Sequence, residues 1–94
     1  MKIVYTEHLK TRIRARHIPY QLPREIVNTA KERYRNAETE HDIAIGKARY
    51  AGKLRLMLVV YDKMGEDKIE IITIHPVERS VIDARVGDKR FIKI

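Results

Sequence analysis

Residues Lys53 to Pro76 read KLRLMLVVYDKMGEDKIEIITIHP, two runs rich in leucine and β-branched residues around a Lys-Met-Gly-Glu-Asp turn. A connection this short can only fold the chain back, so the runs are expected to pair as an antiparallel hairpin. Leu54 to Asp62 is apolar on both faces, which places it in the centre of a sheet or covers it on both sides. The second strand, Lys68 to His75, stops at Pro76, which has no N–H for a ladder. His41 to Tyr50 reads as a strand before them, with Ala51-Gly52 as its turn, so three strands form a meander.

The register follows from the turns. Around Ala51-Gly52, Tyr50 should face Lys53, Arg49 Leu54, Lys47 Leu56, and Ile45 Leu58. With a four-residue loop over Met64 to Asp67, Val60 should face Ile71, Leu58 Thr73, and Leu56 His75. Side chains alternate along a strand. Lys47, Arg49, Thr73 and His75 are therefore expected on one face, near the same end of the sheet. Ala44, Gly46, Ala48, Met57, Val59, Ile72 and Ile74 belong to the other, where small residues beside large ones suit close helix packing.

Before the meander, Lys2 to Tyr5 reads as a short strand and Thr6 as the cap of a helix from Glu7 to about His17. Leu9, Ile13 and Arg16 recur there at helical spacing, and Pro19 closes the segment. A second helix starts near Pro23 with an apolar face of Ile26, Val27, Ala30 and Tyr34. It fades into the polar stretch RNAETEHD, a turn or irregular strand. After the meander, Val77 to about Val86 suits a short helix and Gly87-Asp88 a turn. Phe91, Ile92 and Ile94 suit a last strand or a strap over the core. The expected architecture is α+β in one domain, 1–94: an N-terminal strand and a two-helix hairpin on a curved antiparallel sheet, with a C-terminal helix and strand appended. The sheet face away from the helices needs a cover, from the tail, a partner chain or a ligand.

Composition narrows the function classes. The chain has 94 residues and no cysteine, which excludes a disulfide scaffold, a thiolate metal site and a cysteine nucleophile. Twenty Lys and Arg against thirteen Asp and Glu give a net charge of +7, which favours a polyanionic or acidic partner. The charged N-terminus does not read as a signal peptide, and no apolar run approaches ~18 residues, so a cytoplasmic location with no membrane span is expected. Many ion-pairing residues and only three amides (Gln21, Asn28 and Asn36) suit a thermophile.

Two constellations carry possible chemistry. His8, Arg12 and Arg16 fall at i, i+4 and i+8 along one side of the first helix, a row that grips phosphates or is simply a solvated basic face. Lys10, Arg14 and His17 extend its charge. On the sheet, cleaving RNA needs a base for the 2′-hydroxyl, cations for the developing charge and an acid for the leaving oxygen. His75 suits acid or base work, or is a strand-end residue bonded to backbone. Lys47, Arg49, Arg79 and Arg85 supply charge, and Tyr50 or Tyr61 stacks a base or donates a proton. Arg55 adds to the nucleic-acid-binding set. The four histidines are scattered without metal-ligand spacing, and no P-loop or dinucleotide fingerprint is present, so neither metal nor cofactor is expected.

The pattern Y-T-x-H-x-x-x-R-x-x-x-R-x-I-P over Tyr5 to Pro19 resembles the opening of the domain of unknown function numbered 4258. Lys47-x-Arg49-Tyr50, VVYD at Val59 to Asp62 and IITIHP at Ile71 to Pro76 are similar to its archaeal members. That family looks related to the RelE/ParE and BrnT toxins of toxin–antitoxin systems. The resemblance implies a RelE-like fold, mRNA cleavage on or off the ribosome, and silencing by an acidic antitoxin. By position it points to Lys47, Arg49, Tyr61, His75 and Arg79 as catalytic residues, and His8, Arg12 and Arg16 match the opening motif. RelE-like chains end in a histidine–arginine pair and then Tyr-Arg, whereas here Pro76 follows His75 and the tail has no tyrosine. Three readings follow: a toxin-like endoribonuclease, a non-catalytic nucleic-acid- or ribosome-binding module, and a protein-interaction domain with an acidic partner. A monomer and a homodimer are equally compatible with the sequence.

Overall fold

A computed structural model describes every residue from Met1 to Ile94. In chain order the elements are β1 (Lys2–Tyr5), α1 (Glu7–Arg16), α2 (Leu22–Thr29), β2 (Glu32–Asn36), β3 (Asp42–Tyr50), β4 (Lys53–Lys63), β5 (Lys68–Val77), α3 (Arg79–Gly87) and β6 (Phe91–Lys93). The six strands form one sheet in the order β1-β5-β4-β3-β2-β6. The fold is α+β, as expected, but the sheet is mixed rather than antiparallel throughout. β1 lies parallel to β5, with Lys2 opposite Lys68 and Tyr5 opposite Ile71. Two helices separate β1 from the next strand, so no hairpin forces it to reverse. No helix is long and apolar enough to cross a membrane.

Two cores flank the sheet. On one face α1 and α2 bury Leu9, Ile13, Ile26 and Val27 against Ala44, Met57, Val59, Tyr61, Ile71 and Ile74. On the other, Ile82 of α3 and Phe91 of β6 close over Tyr34, Ile43, Ile45 and Leu58. The tail thus supplies the missing cover. Helix α1 begins at Thr6, whose hydroxyl accepts the Leu9 N–H (3.1 Å) and donates to the Ile72 carbonyl (3.1 Å), fastening the cap to β5. It ends at His17, held in the left-handed region at φ 55°.

Tyr34 corrects the sequence reading. Its spacing from Ile26 and Ala30 fits a helix, yet α2 stops at Thr29 and Ala30 is extended. Tyr34 lies on β2, buried on the opposite face and stacked on Phe91 with centroids 5.7 Å apart. Arg33 takes the role a longer helix would have filled. Its guanidinium donates to the Val27 and Ala30 carbonyls at the end of α2 and to the Tyr61 hydroxyl. Helix α3 also starts two residues later than expected, because Val77 stays in β5 opposite Leu56.

Around the Ala51-Gly52 turn the register is as expected, from Tyr50↔Lys53 to Ile45↔Leu58. Around the second turn it is not. The ladder runs Lys63↔Ile69 and Tyr61↔Ile71, then slips at a bulge to Val60↔Thr73, Leu58↔His75 and Leu56↔Val77. The loop holds one residue more than the four expected, and the bulge adds another. Each slip swaps faces, so two restore the face of Thr73 and His75. Between them Ile71, not Ile72, enters the helix-side core.

Gly46 is where α2 meets the sheet: a Cβ there would stand 3.1 Å from both Ile26 Cγ1 and Cγ2. Gly46→Val should cost about 1–3 kcal/mol in denaturant unfolding by overpacking, with part recovered by Ile26→Val in the same chain. Ala51 (φ 53°) and Gly52 (φ 85°) both have the positive φ of the primed two-residue hairpin turn. Ala51→Asn should stabilise by about 0.5–1 kcal/mol, because asparagine tolerates this region better than alanine. A lower denaturation midpoint in that variant would contradict the assignment.

Candidate nucleic-acid interface

No acidic residue occurs between Glu7 and Glu25, nor between Asp42 and Asp62. The fold brings these two stretches together. The first contains α1; the second contains the β3–β4 hairpin. The Tyr50 hydroxyl donates to the Arg16 carbonyl (2.9 Å), tying the hairpin tip to the end of the helix. A shallow surface pocket at the seam is lined by Ala15, Arg16, His17, Tyr50 and Ala51. Lys47, Arg49 and Lys53 on the hairpin and Arg14 and Arg16 on the helix are all exposed. None of them, nor Arg12 or Arg55, forms an ion pair.

The charge is sorted along the strands. The β2–β3 and β4–β5 turns lie at the opposite end from the Ala51-Gly52 turn and carry Glu38, Glu40, Glu66 and Asp67. Three ion pairs lie toward that end, Arg35–Asp42 (3.2 Å), His41–Asp62 (2.7 Å) and Arg90 with Asp88 (3.5 Å), while Arg79–Glu32 (2.7 Å) and Lys10–Glu7 (3.6 Å) lie elsewhere. The tip thus carries unpaired cations on both sides of the sheet, Arg14 and Arg16 on the helix side and Lys47 and Arg49 on the other, and such a concentration attracts polyanions over a Debye length of ~8–10 Å.

Within the helix row, His8 and Arg16 are exposed and Arg12 is half-buried, its Nε shielded from water without a partner. Arg55 spends its Nε on the Tyr50 carbonyl (2.8 Å), which braces the turn and leaves its terminal nitrogens unbonded.

The expected catalytic set is dispersed. Lys47, Arg49 and His75 share a sheet face, as the alternation argument requires. Lys47 nevertheless aligns with Leu56 and Val77, two residues along and two strands across from His75, a backbone separation of roughly 12 Å. Tyr61 is overturned as an accessible proton donor. It is 1% exposed in the helix-side core, its hydroxyl accepting from Arg33 (3.0 Å). Alternation along β4 puts Tyr61 on the face of Met57 and Val59, toward α2 and away from the His75 side.

Arg79 is also committed elsewhere. Its guanidinium forms a bidentate pair with Glu32 (2.7 and 2.9 Å), and the Tyr34 hydroxyl donates to the same carboxylate (2.6 Å). This latch joins the first turn of α3 to β2. The bond from Arg79 holds Glu32 below its usual pKa; burial opposes it, and the Tyr34 bond adds a smaller lowering. Burial, and then the Glu32 carboxylate, push Tyr34 up to about 12.

His75 and Arg85 do meet. With Leu58, Val77, Val81 and Phe91 they line a cavity of about 100 Å³ between the sheet and α3. The His75 Nδ1 lies 3.0 Å from the Pro76 carbonyl, which only accepts, so Nδ1 carries a proton and Nε2 is the ring nitrogen left without a partner.

Sequence reasoning passed over Lys53 and the Glu32–Tyr34–Arg79 latch. The acid-free intervals on either side of residues 25–42 were the available signal for Lys53. The latch had none, because a 47-residue separation links its ends.

No family model matches the chain, and no curated protein and no solved structure matches it. The chemistry of the surface therefore carries the functional reading.

Glu32 has a depressed folded pKa, so its contribution to stability is present above the ordinary carboxylate value of 4.5 and is lost as pH falls through the lower folded value. Replacing it by Gln should lower stability at pH 7 and flatten this part of the acid limb, as measured by denaturant unfolding from pH 7 to pH 3. An unchanged pH dependence would show that the latch contributes nothing.

Proposed function

We propose that this chain is an RNA-binding module that grips the phosphate backbone with the α1 C-terminus and the β3–β4 hairpin. The observation that carries the reading is the meeting of two acid-free segments at the Tyr50–Arg16 bond, which gathers the unpaired cations Arg14, Arg16, Lys47, Arg49 and Lys53 around one end of the molecule. Arginine forks and lysine ammonium groups there match phosphate oxygens, and Tyr50 offers an aromatic edge beside them. The resemblance of Tyr5–Pro19 to a toxin-related domain favours RNA over other polyanions and is consistent with this surface.

Toxin-like endoribonuclease action is the second reading, favoured by one observation: His75, with Nε2 unpartnered, lines a cavity with Arg85. It has less support than binding, since Lys47 and Arg49 stand away from His75, Tyr61 is enclosed and Arg79 is paired.

Fluorescence anisotropy on a labelled single-stranded RNA tests the first reading. With four phosphate contacts, log K should fall with log salt at a slope of about −3. Arg16→Gln and Arg49→Gln should each weaken binding and reduce the slope, while Lys63→Gln at the opposite end should not. Equal losses in all three would mean diffuse attraction without a site, and tighter binding to an acidic protein than to RNA would favour the protein-interaction alternative. Induced expression separates the second reading: cut transcripts with the wild-type chain and intact ones with His75→Ala support cleavage, whereas intact RNA with a folded wild-type chain sinks it.

A further inference from the structure

We infer that the cavity between β4, β5 and α3 is an oxyanion site, built for a phosphate group held between His75 and Arg85. Four of its six lining residues, Leu58, Val77, Val81 and Phe91, are apolar, and the polar pair consists of His75 and Arg85. No carboxylate lines it. The Arg85 guanidinium sits 5.6 Å from the Phe91 ring centroid and has no hydrogen bond or ion pair within the chain. The ring steadies the fork without spending its donors. His75 is oriented by its bond to the Pro76 carbonyl, so Nε2 is the atom left for a ligand. It accepts from a protonated phosphate oxygen when neutral and donates to a bare one when charged.

The cavity also has an approach. Val77 lines both it and a larger groove of about 410 Å³ that runs past Leu56 to Lys53 and Arg55 at the basic tip, with Glu78 on its wall. A cavity of about 100 Å³ has room for a tetrahedral oxyanion.

The shared chemistry is a phosphate dianion or monoanion, with two sources: free inorganic phosphate, and the terminal phosphate of a nucleic-acid strand. Histidine side-chain proton–nitrogen spectra, with calorimetry, read the site directly. Inorganic phosphate should shift the His75 ring signals saturably. Arg85→Gln and His75→Gln should each weaken its binding by at least about tenfold. Arg85→Lys, which keeps the charge but loses the fork, should fall between. Lys63→Gln removes the same charge at the far end of the sheet and should stay within about twofold of wild type. Unfolding midpoints close to wild type show that the variants fold.

An absent or non-saturating His75 shift overturns the inference, as does an equal loss in Lys63→Gln and Arg85→Gln. A dinucleotide with a terminal phosphate binding more tightly than its hydroxyl-ended counterpart, the advantage vanishing in Arg85→Gln, assigns the pocket to a strand end. Binding of inorganic phosphate without that advantage assigns it to the free anion.

Discussion

Burial of β4 on both faces is the constraint from which the rest of the molecule follows. Met57 and Val59 point into the helix-side core and Leu58 into the tail-side core, all three almost inaccessible to water. Each such side chain contributes about 1.5–3 kcal/mol by leaving solvent. Neither cover alone satisfies the strand. The helices need a close approach, which Gly46 permits, and the opposite face needs the tail to return across it. The chain therefore spends its first third on one cover and its last fifth on the other. The hydrogen-bonded ladders with β3 and β5 hold the two layers in register.

This arrangement also decides where charge goes. A central strand flanked by hairpins has two ends, and the turns at each end are the natural place for polar residues. Here the ends differ in kind. One carries several carboxylates, many in ion pairs; the other carries cations from two parts of the chain with no acidic residue within either segment. The Tyr50–Arg16 hydrogen bond joins two local biases at one end of the molecule. Helix α3, latched by Arg79 and Glu32, roofs the sheet beside that end and creates the cavity holding His75 and Arg85. Binding surface and cavity are thus consequences of covering β4 twice.

Much of this was legible in the residues. The β-branched runs gave the strands, Thr6 gave the helix cap, and the Ala51-Gly52 turn gave its register, because these are local signals with a fixed period or geometry. The errors arose where distance in sequence was large or spacing ambiguous. Tyr34 matches a helical period and a strand equally well, and only the Arg33 cap on α2 and stacking against Phe91 decide between them. The extra loop residue and the bulge after Val60 have no sequence mark, yet their two slips cancel for His75 and not for Ile71. Tyr61 was read as a site residue by position, and packing against α2 removed it from solvent.

The sequence by itself determined the α+β class, the central hairpin, the basic character, and the face shared by Lys47 and Arg49, since alternation and composition act at short range. Only the tertiary structure decided that β1 joins in parallel, that the tail packs over the second face, and that Arg79 is paired while Arg85 is free beside His75. Those outcomes depend on which distant side chains compete for the same buried space and the same carboxylate, a competition that is settled only when the whole chain has packed.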